Sequence, residues 1–415
     1  MKTTDFLPLP PPDAATAAFI RTHRTDNVER LALAAAGRTD IDLPLALQEI
    51  EGRQRLARKV PAWAAMESLR MPPRLSLEQC SGEAAAAYKA RLAARLAPAG
   101  GSMADLTGGL GVDFAAMARH FAVGTYVERR PELCSLAAHN LPLLGLPQAR
   151  VICAEATDYL AEMEPVDWLF LDPARRDGAG RKTVLPEDCE PDIVALRPLL
   201  LEKGRHVLLK LSPMLDLSAA AAALPETEEM HVVAEGGECK ELLLLLTPGH
   251  TGAPHIVCAE GAASFAFTPA EEHAATAPLA PVARRYLYEP GPALLKAGAL
   301  KLPAARFGLA KLHPNSHLYT SDDYVAGFPG RTFRVEACYG FSKKELRRFA
   351  ADCPRANLTL RNFPGRTDSL RRRLRLKDGG DHYCFATTLA NGDKILVTCR
   401  KATGNDDGHR PAHKA

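Results

Sequence analysis

Apolar residues recur at three- and four-residue spacing through residues 27–36 and 43–60, the pattern of amphipathic helices, and Pro61, Pro72 and Pro73 punctuate them. A further helix is predicted over 81–96, with Ala84, Tyr88 and Leu92 on one face. From residue 102 to 247 the pattern changes to short apolar runs. Strands are predicted at 103–107, 125–128, 150–153, 168–171 and 206–211, with helices at 112–121, 131–144, 191–202 and 217–224. Strands alternating with helices imply βαβ units and a mainly parallel sheet covered on both faces. Two more apolar runs, 230–234 and 241–246, flank Glu235-Gly236-Gly237-Glu238, a hairpin pattern that closes the sheet with an antiparallel strand.

Residues 248–281 are rich in Gly, Ala, Pro and Thr, with one short strand expected at 264–267, so a boundary is placed there. Two small α+β units are expected beyond it. The first covers 282–328, with a helix at 292–299 and an extended piece at 318–320. The second covers 329–402, with strands at 332–338, 357–361, 382–388 and 394–399, and helices at 342–351 and 366–374. Asn391-Gly392 is the strongest local hairpin signal. The predicted organisation is therefore a helical region over 1–98, an α/β domain over 99–250 and the two small units.

At 415 residues, 47% hydrophobic and 24% charged, the chain can bury sizeable cores, which excludes a largely disordered or fibrous protein. Clean apolar runs such as 242–246 are far short of the roughly 18–20 residues of a bilayer span. No secretory leader is read at the start, and ten cysteines without a CxxC pair argue against a disulfide framework or a thiolate metal site. A cytoplasmic protein is expected, with no metal: His313, His317, His409 and His413 lack partners at ligand spacing. Charge does change the picture. Residues 341–380 hold twelve Lys or Arg against four Asp or Glu, although the whole chain carries only +3. An acidic body with a basic stretch is the footprint of a protein that meets phosphates.

The chemistry concentrates at predicted strand ends. Asp105-Leu106-Thr107-Gly108-Gly109-Leu110-Gly111 ends the first strand and opens a helix, a bend that lets backbone approach a ligand. Glu128 ends the second strand, where an acid can accept ribose hydroxyls, and Glu155 follows the third, with Asp158 close behind, where an acid can meet an adenine amino group. Asp172-Pro173-Ala174-Arg175 closes the fourth strand, and Lys210 ends the fifth. Four acids at four successive strand ends point to one edge of one sheet. A dinucleotide site is the rival reading, but Gly108, Gly109 and Gly111 do not form GxGxxG, and Asp172-Pro173 would be unexplained.

On these motifs residues 103–247 resemble a class I S-adenosylmethionine-dependent methyltransferase domain, with a Rossmann-like seven-stranded sheet. The resemblance implies that Asp105, Thr107, Gly108, Gly109 and Gly111 wrap the methionine part of S-adenosyl-L-methionine, and that Glu128 and Glu155 hold its ribose and adenine. Asp172 and Pro173 match the start of the family motif that serves transfer to amino nitrogens. Arg175 stands where that motif has a stacking aromatic. The whole chain is more specifically similar to bacterial methyltransferases with a THUMP-like C-terminal domain, known notably from Bacteroidetes. Matching segments include Glu78-Gln79-Cys80-Ser81, Ala87-Tyr88-Lys89, Lys210-Leu211-Ser212-Pro213, Leu318-Tyr319-Thr320-Ser321 and Leu376-Lys377-Asp378-Gly379-Gly380. That likeness implies a ferredoxin-like unit, a THUMP-like unit and an RNA substrate.

The expected function is methylation of a base nitrogen in RNA, tRNA or rRNA, with Asp172 and the Pro173 carbonyl accepting the amine's N–H bonds. Arg175, Arg371, Arg372, Arg373 and Arg375 are candidate RNA contacts; Lys210 is expected to hold a phosphate or to pair with Asp172. Tyr88 and Lys89 are expected as a lid over the cofactor's carboxylate, or as helix packing. Two alternatives remain: a methyltransferase acting on a small molecule or protein, and an RNA-binding protein with a vestigial cofactor site.

Overall fold

The first three helices each start where a short polar side chain caps them. Asp13 accepts from Thr16 N ahead of α1 (Ala14–His23), Asn27 from Arg30 N ahead of α2 (Val28–Ala34), and Asp42 from Leu45 N ahead of α3 (Leu43–Lys59). The computed structural model describes residues 9–72, 74–175 and 186–402. Short helices α4 (Pro61–Ala64) and α5 (Arg74–Gln79) lead to α6 (Glu83–Leu96). The apolar stripe of this region buries Phe19, Leu31, Ile41, Ala46 and Ile50 together.

The α/β segment then runs β1 (Ser102–Asp105), α7 (Val112–Ala118), β2 (Val123–Glu128), α8 (Pro131–Leu143), β3 (Arg150–Cys153), α9 (Ala156–Glu162) and β4 (Val166–Leu171). A two-residue pair, β5 (Ala174–Arg175) and β6 (Cys189–Glu190), precedes α10 (Ile193–Lys203), β7 (Gly204–Leu211) and α11 (Leu217–Ala223). The hairpin β8 (Thr227–Glu235) and β9 (Glu238–Leu246) follows, and β10 (His255–Glu260) and β11 (Ala263–Phe267) extend the sheet. Strand order is β11-β10-β8-β9-β7-β4-β1-β2-β3, and β7, β4, β1, β2 and β3 run parallel. Parallel strands put all five carboxyl ends at one edge, where open α/β sheets bind ligands. The central strands are apolar on both faces, and Met103, Ala104, Leu169, Phe170, Leu208 and Leu209 are buried. The expected hairpin turn is present: Gly236 and Gly237 take φ of 62° and 83°, as a tight two-residue turn requires.

Two compact units divide the chain. One holds residues up to 228 together with Leu243–Gly252, the other Glu229–Leu242 and residues from 253 onward. In the second unit a seven-stranded sheet is built from β12 (Tyr286–Pro290), β13 (Ala310–Lys311), β14 (Tyr319–Ser321), β15 (Gly330–Gly340), β16 (Asn357–Arg361), β17 (His382–Thr388) and β18 (Lys394–Lys401), in the order β13-β14-β12-β15-β18-β17-β16. Its helices are α12 (Pro269–Ala274), α13 (Pro292–Ala297), α14 (Leu302–Phe307), α15 (Lys343–Asp352) and α16 (Thr367–Leu374). Phe349 and Leu370 from α15 and α16 pack with Tyr339, Leu358, Cys384 and Leu396 on one face. Phe333, Phe385 and Val397 pack with Leu287 and Leu312 on the other.

Sequence pattern missed β10, β12, β13, α9, α12 and α14, and the short pair β5–β6. His255–Glu260 sits in the Pro- and Gly-rich stretch read as a boundary, yet pairs in parallel with β8 across six residues. Because β12 pairs antiparallel with β15, the segments expected as two small units share one sheet.

Candidate functional site

The bend after β1 is shaped by its neighbours. Gly108 lies against the fully buried Tyr126 ring, where an added Cβ would meet ring carbons at 2.2 and 2.5 Å. Tyr126 Oη donates to the Gly109 carbonyl at 2.5 Å, and Gly109 N–H donates to Glu128 at 2.9 Å. Glu128 also accepts from the Arg130 N–H at 3.0 Å, so the acid at the end of β2 is fixed in place by two amides. At the end of β1, Asp105 is 1% exposed and accepts from Thr107 N–H at 2.9 Å. Burial pushes the Asp105 carboxyl well above the usual carboxylate range, and the Thr107 amide only partly opposes this. Thr107 Oγ1 in turn accepts from the Asp172 N–H at 2.6 Å, tying the ends of β1 and β4 together.

These groups surround a cavity of about 700 Å³. Asp105, Glu128, Glu155 and Asp172, the four strand-end acids, all line it, as do Thr107, Gly108, Gly109 and Gly111. Glu155 is exposed, at the position preceding α9. Ala174 lines the cavity; Pro173 does not. Ser76, Gln79, Cys80 and Ser81 contribute a second wall, Glu190, Pro191, Asp192, Ala195 and Leu196 a third. Lys59 Nζ gathers the carbonyls of Leu77, Glu78 and Cys80 at 2.9, 2.6 and 3.1 Å, which fastens the turn carrying the second wall.

A chain of charges that sequence pattern did not reveal runs behind the bend. Asp113, in the first turn of α7, accepts from Ser81 Oγ at 2.7 Å and faces Lys89 Nζ at 3.2 Å and Lys210 Nζ at 3.7 Å. Lys210 Nζ also pairs closely with Asp172 Oδ2. Burial alone would raise the Asp113 carboxyl, but the two ammonium groups and the Ser81 hydroxyl outweigh it and hold the carboxyl below its usual range. Burial pushes the Asp172 carboxyl up, opposed by Lys210. Lys210 makes the expected ion pair with Asp172, and its side chain is only 13% exposed. Lys89 is fully buried against Asp113 and Ser81 and does not line the cavity; Tyr88, half-buried under the Arg91 guanidinium, does not line it either. Lys89, within α6, gave no periodic signal for this, because its partner Asp113 lies on α7.

In the second unit, Arg372, Arg373 and Arg375 are exposed, with the Arg373 guanidinium 5.7 Å from the centre of the Phe341 ring. The Phe341 and Phe363 rings lie 5.1 Å apart, tilted by 30°. Arg371 pairs with Asp378 at 2.9 Å. The Arg175 side chain lies outside the described residues. Among the described residues no three His, Cys, Asp or Glu side chains group as a metal site, and no helix is long and apolar enough to cross a membrane.

Known proteins share this architecture. Family models match residues 286–329 as a ferredoxin-like domain and 330–401 as a THUMP-like domain. A solved structure of a candidate methyltransferase from Porphyromonas gingivalis W83 is 38% identical, superposes with a TM-score of 0.84 and covers 94% of this chain and 98% of its own. The chain belongs to the S-adenosylmethionine-dependent methyltransferases with a THUMP-like C-terminal domain. An uncharacterized S-adenosylmethionine-dependent methyltransferase of Mycobacterium tuberculosis (strain H37Rv) is 28% identical over 328 residues, which is 78% of this chain and 86% of that protein. The cofactor of this methyltransferase is S-adenosylmethionine. The cavity suits it chemically: a cradle with no room for a side chain at Gly108, and carboxylates that can accept hydroxyl and amino protons.

Proposed function

We propose that this methyltransferase transfers its methyl group to a base nitrogen in RNA, tRNA or rRNA. The observation that carries the reading is the Asp172-Pro173 pair at the end of β4. Its carboxylate lines the same cavity as the glycine bend and Glu128. In this reading Asp105, Thr107, Gly108, Gly109 and Gly111 hold the methionine half of the cofactor, Glu128 the ribose and Glu155 the adenine. S-adenosylmethionine supplies an electrophilic methyl on sulfur. The chain's own work is to place a nitrogen lone pair in line with that carbon.

Asp172 suits this task. Lys210 takes one carboxylate oxygen, and the side chain remains 37% exposed, which leaves lone pairs for a target N–H. A carboxylate accepting that N–H would orient the amine and stabilise the positive charge that grows on nitrogen as the N–C bond forms and the S–C bond breaks; Pro173, expected to add its carbonyl, does not line the cavity. The nitrogen then sheds its proton to solvent. RNA as the acceptor is supported by the net +8 over residues 341–380 and by the exposed Arg372, Arg373 and Arg375, of which Arg373 lies over the Phe341 ring, an arrangement suited to phosphates and bases.

Comparing modified nucleosides in RNA from deletion and parent strains tests the proposal. A methylated base missing from the deletion strain and restored by the wild-type gene, but not by Asp172→Ala, is expected. An unchanged RNA profile, with methyl incorporation insensitive to ribonuclease, would refute it in favour of a protein or small-molecule acceptor.

A further inference from the structure

The structure assigns Lys210 a positioning role: it keeps Asp172 ionised and oriented for the methyl acceptor, and is itself held in place by Asp113 rather than given over to substrate phosphate. The inference rests on the reading of Asp172 as the acceptor of the target's N–H. Four charged groups face the Asp172 carboxylate: Lys210 from β7, Asp113 from α7, Lys89 from α6 and Asp105 from β1. Their geometry forms a sequence. Ser81 donates to Asp113, Asp113 sits between the ammonium groups of Lys89 and Lys210, and Lys210 reaches past it to Asp172.

Two features make the arrangement more than a structural ion pair. Asp113 already has Lys89, a fully buried ammonium at 3.2 Å, so Lys210 is not needed to neutralise it. Lys210 lies 3.7 Å from Asp113 but makes the closer contact with Asp172, the acid at the end of β4, and all three side chains line the cavity. Burial pushes the Asp172 carboxyl up and Lys210 opposes this, so losing the ammonium favours the protonated form, which would present an O–H where the amine needs an acceptor. Lys210 also restricts the carboxylate to one rotamer. Asp113 and Ser81 thereby link the wall formed by residues 79–81 to the acid that meets the target.

The test follows the Asp172 carboxyl directly. In full-length protein labelled with ¹³C-aspartate, the Asp172 carboxyl resonance is identified by its loss in Asp172→Asn and titrated without any methyl acceptor. Lys210→Met is expected to move its midpoint upward by about one pH unit or more, as loss of a neighbouring opposite charge does. Lys210→Arg is expected to keep it near the wild-type position. Asp113→Asn removes a like charge and leaves Lys210 to Asp172 alone, so the midpoint should move downward; this variant also serves if Lys210→Met does not fold. An unmoved midpoint in Lys210→Met, or an upward shift in Asp113→Asn, overturns the assignment. Once the acceptor is in hand, the acid limb of kcat should shift upward in Lys210→Met and return in Lys210→Arg. Failure of the RNA proposal would appear in the nucleoside comparison and leave this titration intact.

Discussion

Gly108→Ala tests whether the bend after β1 is held by packing against Tyr126. The added methyl would lie 2.2 Å from one ring carbon and 2.5 Å from two others, whereas ordinary contact begins near 3.4 Å. Something must therefore move by roughly 1 Å. The Tyr126 ring has no freedom to yield, being fully buried and edge-on to Phe114 at 5.7 Å, with its hydroxyl bonded to the Gly109 carbonyl. The bend itself must shift, and it carries the Gly108 N–H bond to Val127 O at 2.8 Å and the Gly109 N–H bond to Glu128 at 2.9 Å. Overpacking of this kind costs about 1–3 kcal/mol. If even half of it appears as weaker binding, S-adenosylhomocysteine affinity falls about 2- to 12-fold, since about 1.4 kcal/mol is tenfold. Isothermal calorimetry reads the affinity and thermal unfolding reads the remainder, at about 2–4 °C per kcal/mol. Gly340→Ala is the control: nothing lies within 4 Å of its added methyl, and neither quantity should change. Wild-type affinity and stability in Gly108→Ala would refute the account of the bend.

Three further outcomes follow from the site. Asp105→Asn should stabilise the cofactor-free protein at pH 8 but not at pH 4. The folded-state pKa of Asp105 is raised, so its stabilising contribution is present below the unfolded value and is lost as pH rises through the folded one; thermal melts across pH read the difference, and equal shifts at both pH values would contradict it. The same substitution should weaken cofactor binding, and Asp105→Ala should abolish it by calorimetry. Asp172→Ala should retain cofactor affinity and lose turnover, visible as a drop in kcat with unchanged calorimetric binding. Replacing Arg372, Arg373 and Arg375 by Glu should weaken RNA binding and flatten its dependence on salt, by about 0.7–0.9 in log–log slope for each phosphate that is no longer neutralised, with no effect on cofactor affinity.

The cofactor side of the site was legible because parallel strands leave a simple trace. Each strand is an apolar run, and whatever polar residue ends it projects at the shared edge, so Asp105, Glu128, Glu155 and Asp172 could be grouped from their positions in the chain. What escaped the sequence depends on side chains meeting from elements distant in the chain. Asp113 reads as an ordinary acid in a first helical turn, and its partners Ser81, Lys89 and Lys210 lie 32, 24 and 97 positions away. Tyr126 reads as a strand aromatic, with nothing to mark it as the support of Gly108. The strand His255–Glu260 escaped because only six residues, bounded by Pro254 and Gly261, had to outweigh a helix- and strand-poor surrounding. The small unit around 282–328 was hard to delimit because β12 gains its partners from β14 and β15, both later in the chain.

The strand order also bears on synthesis. β9 leaves the ribosome after β8 yet lies between β8 and β7 in the finished sheet. Until Leu246 has emerged, β7 has no neighbour on its outer side, and its row of amides and carbonyls stays open to foreign strands. A nascent chain that pauses or is cut short before that residue would carry an adhesive edge, while one that passes it can close the hairpin over the gap.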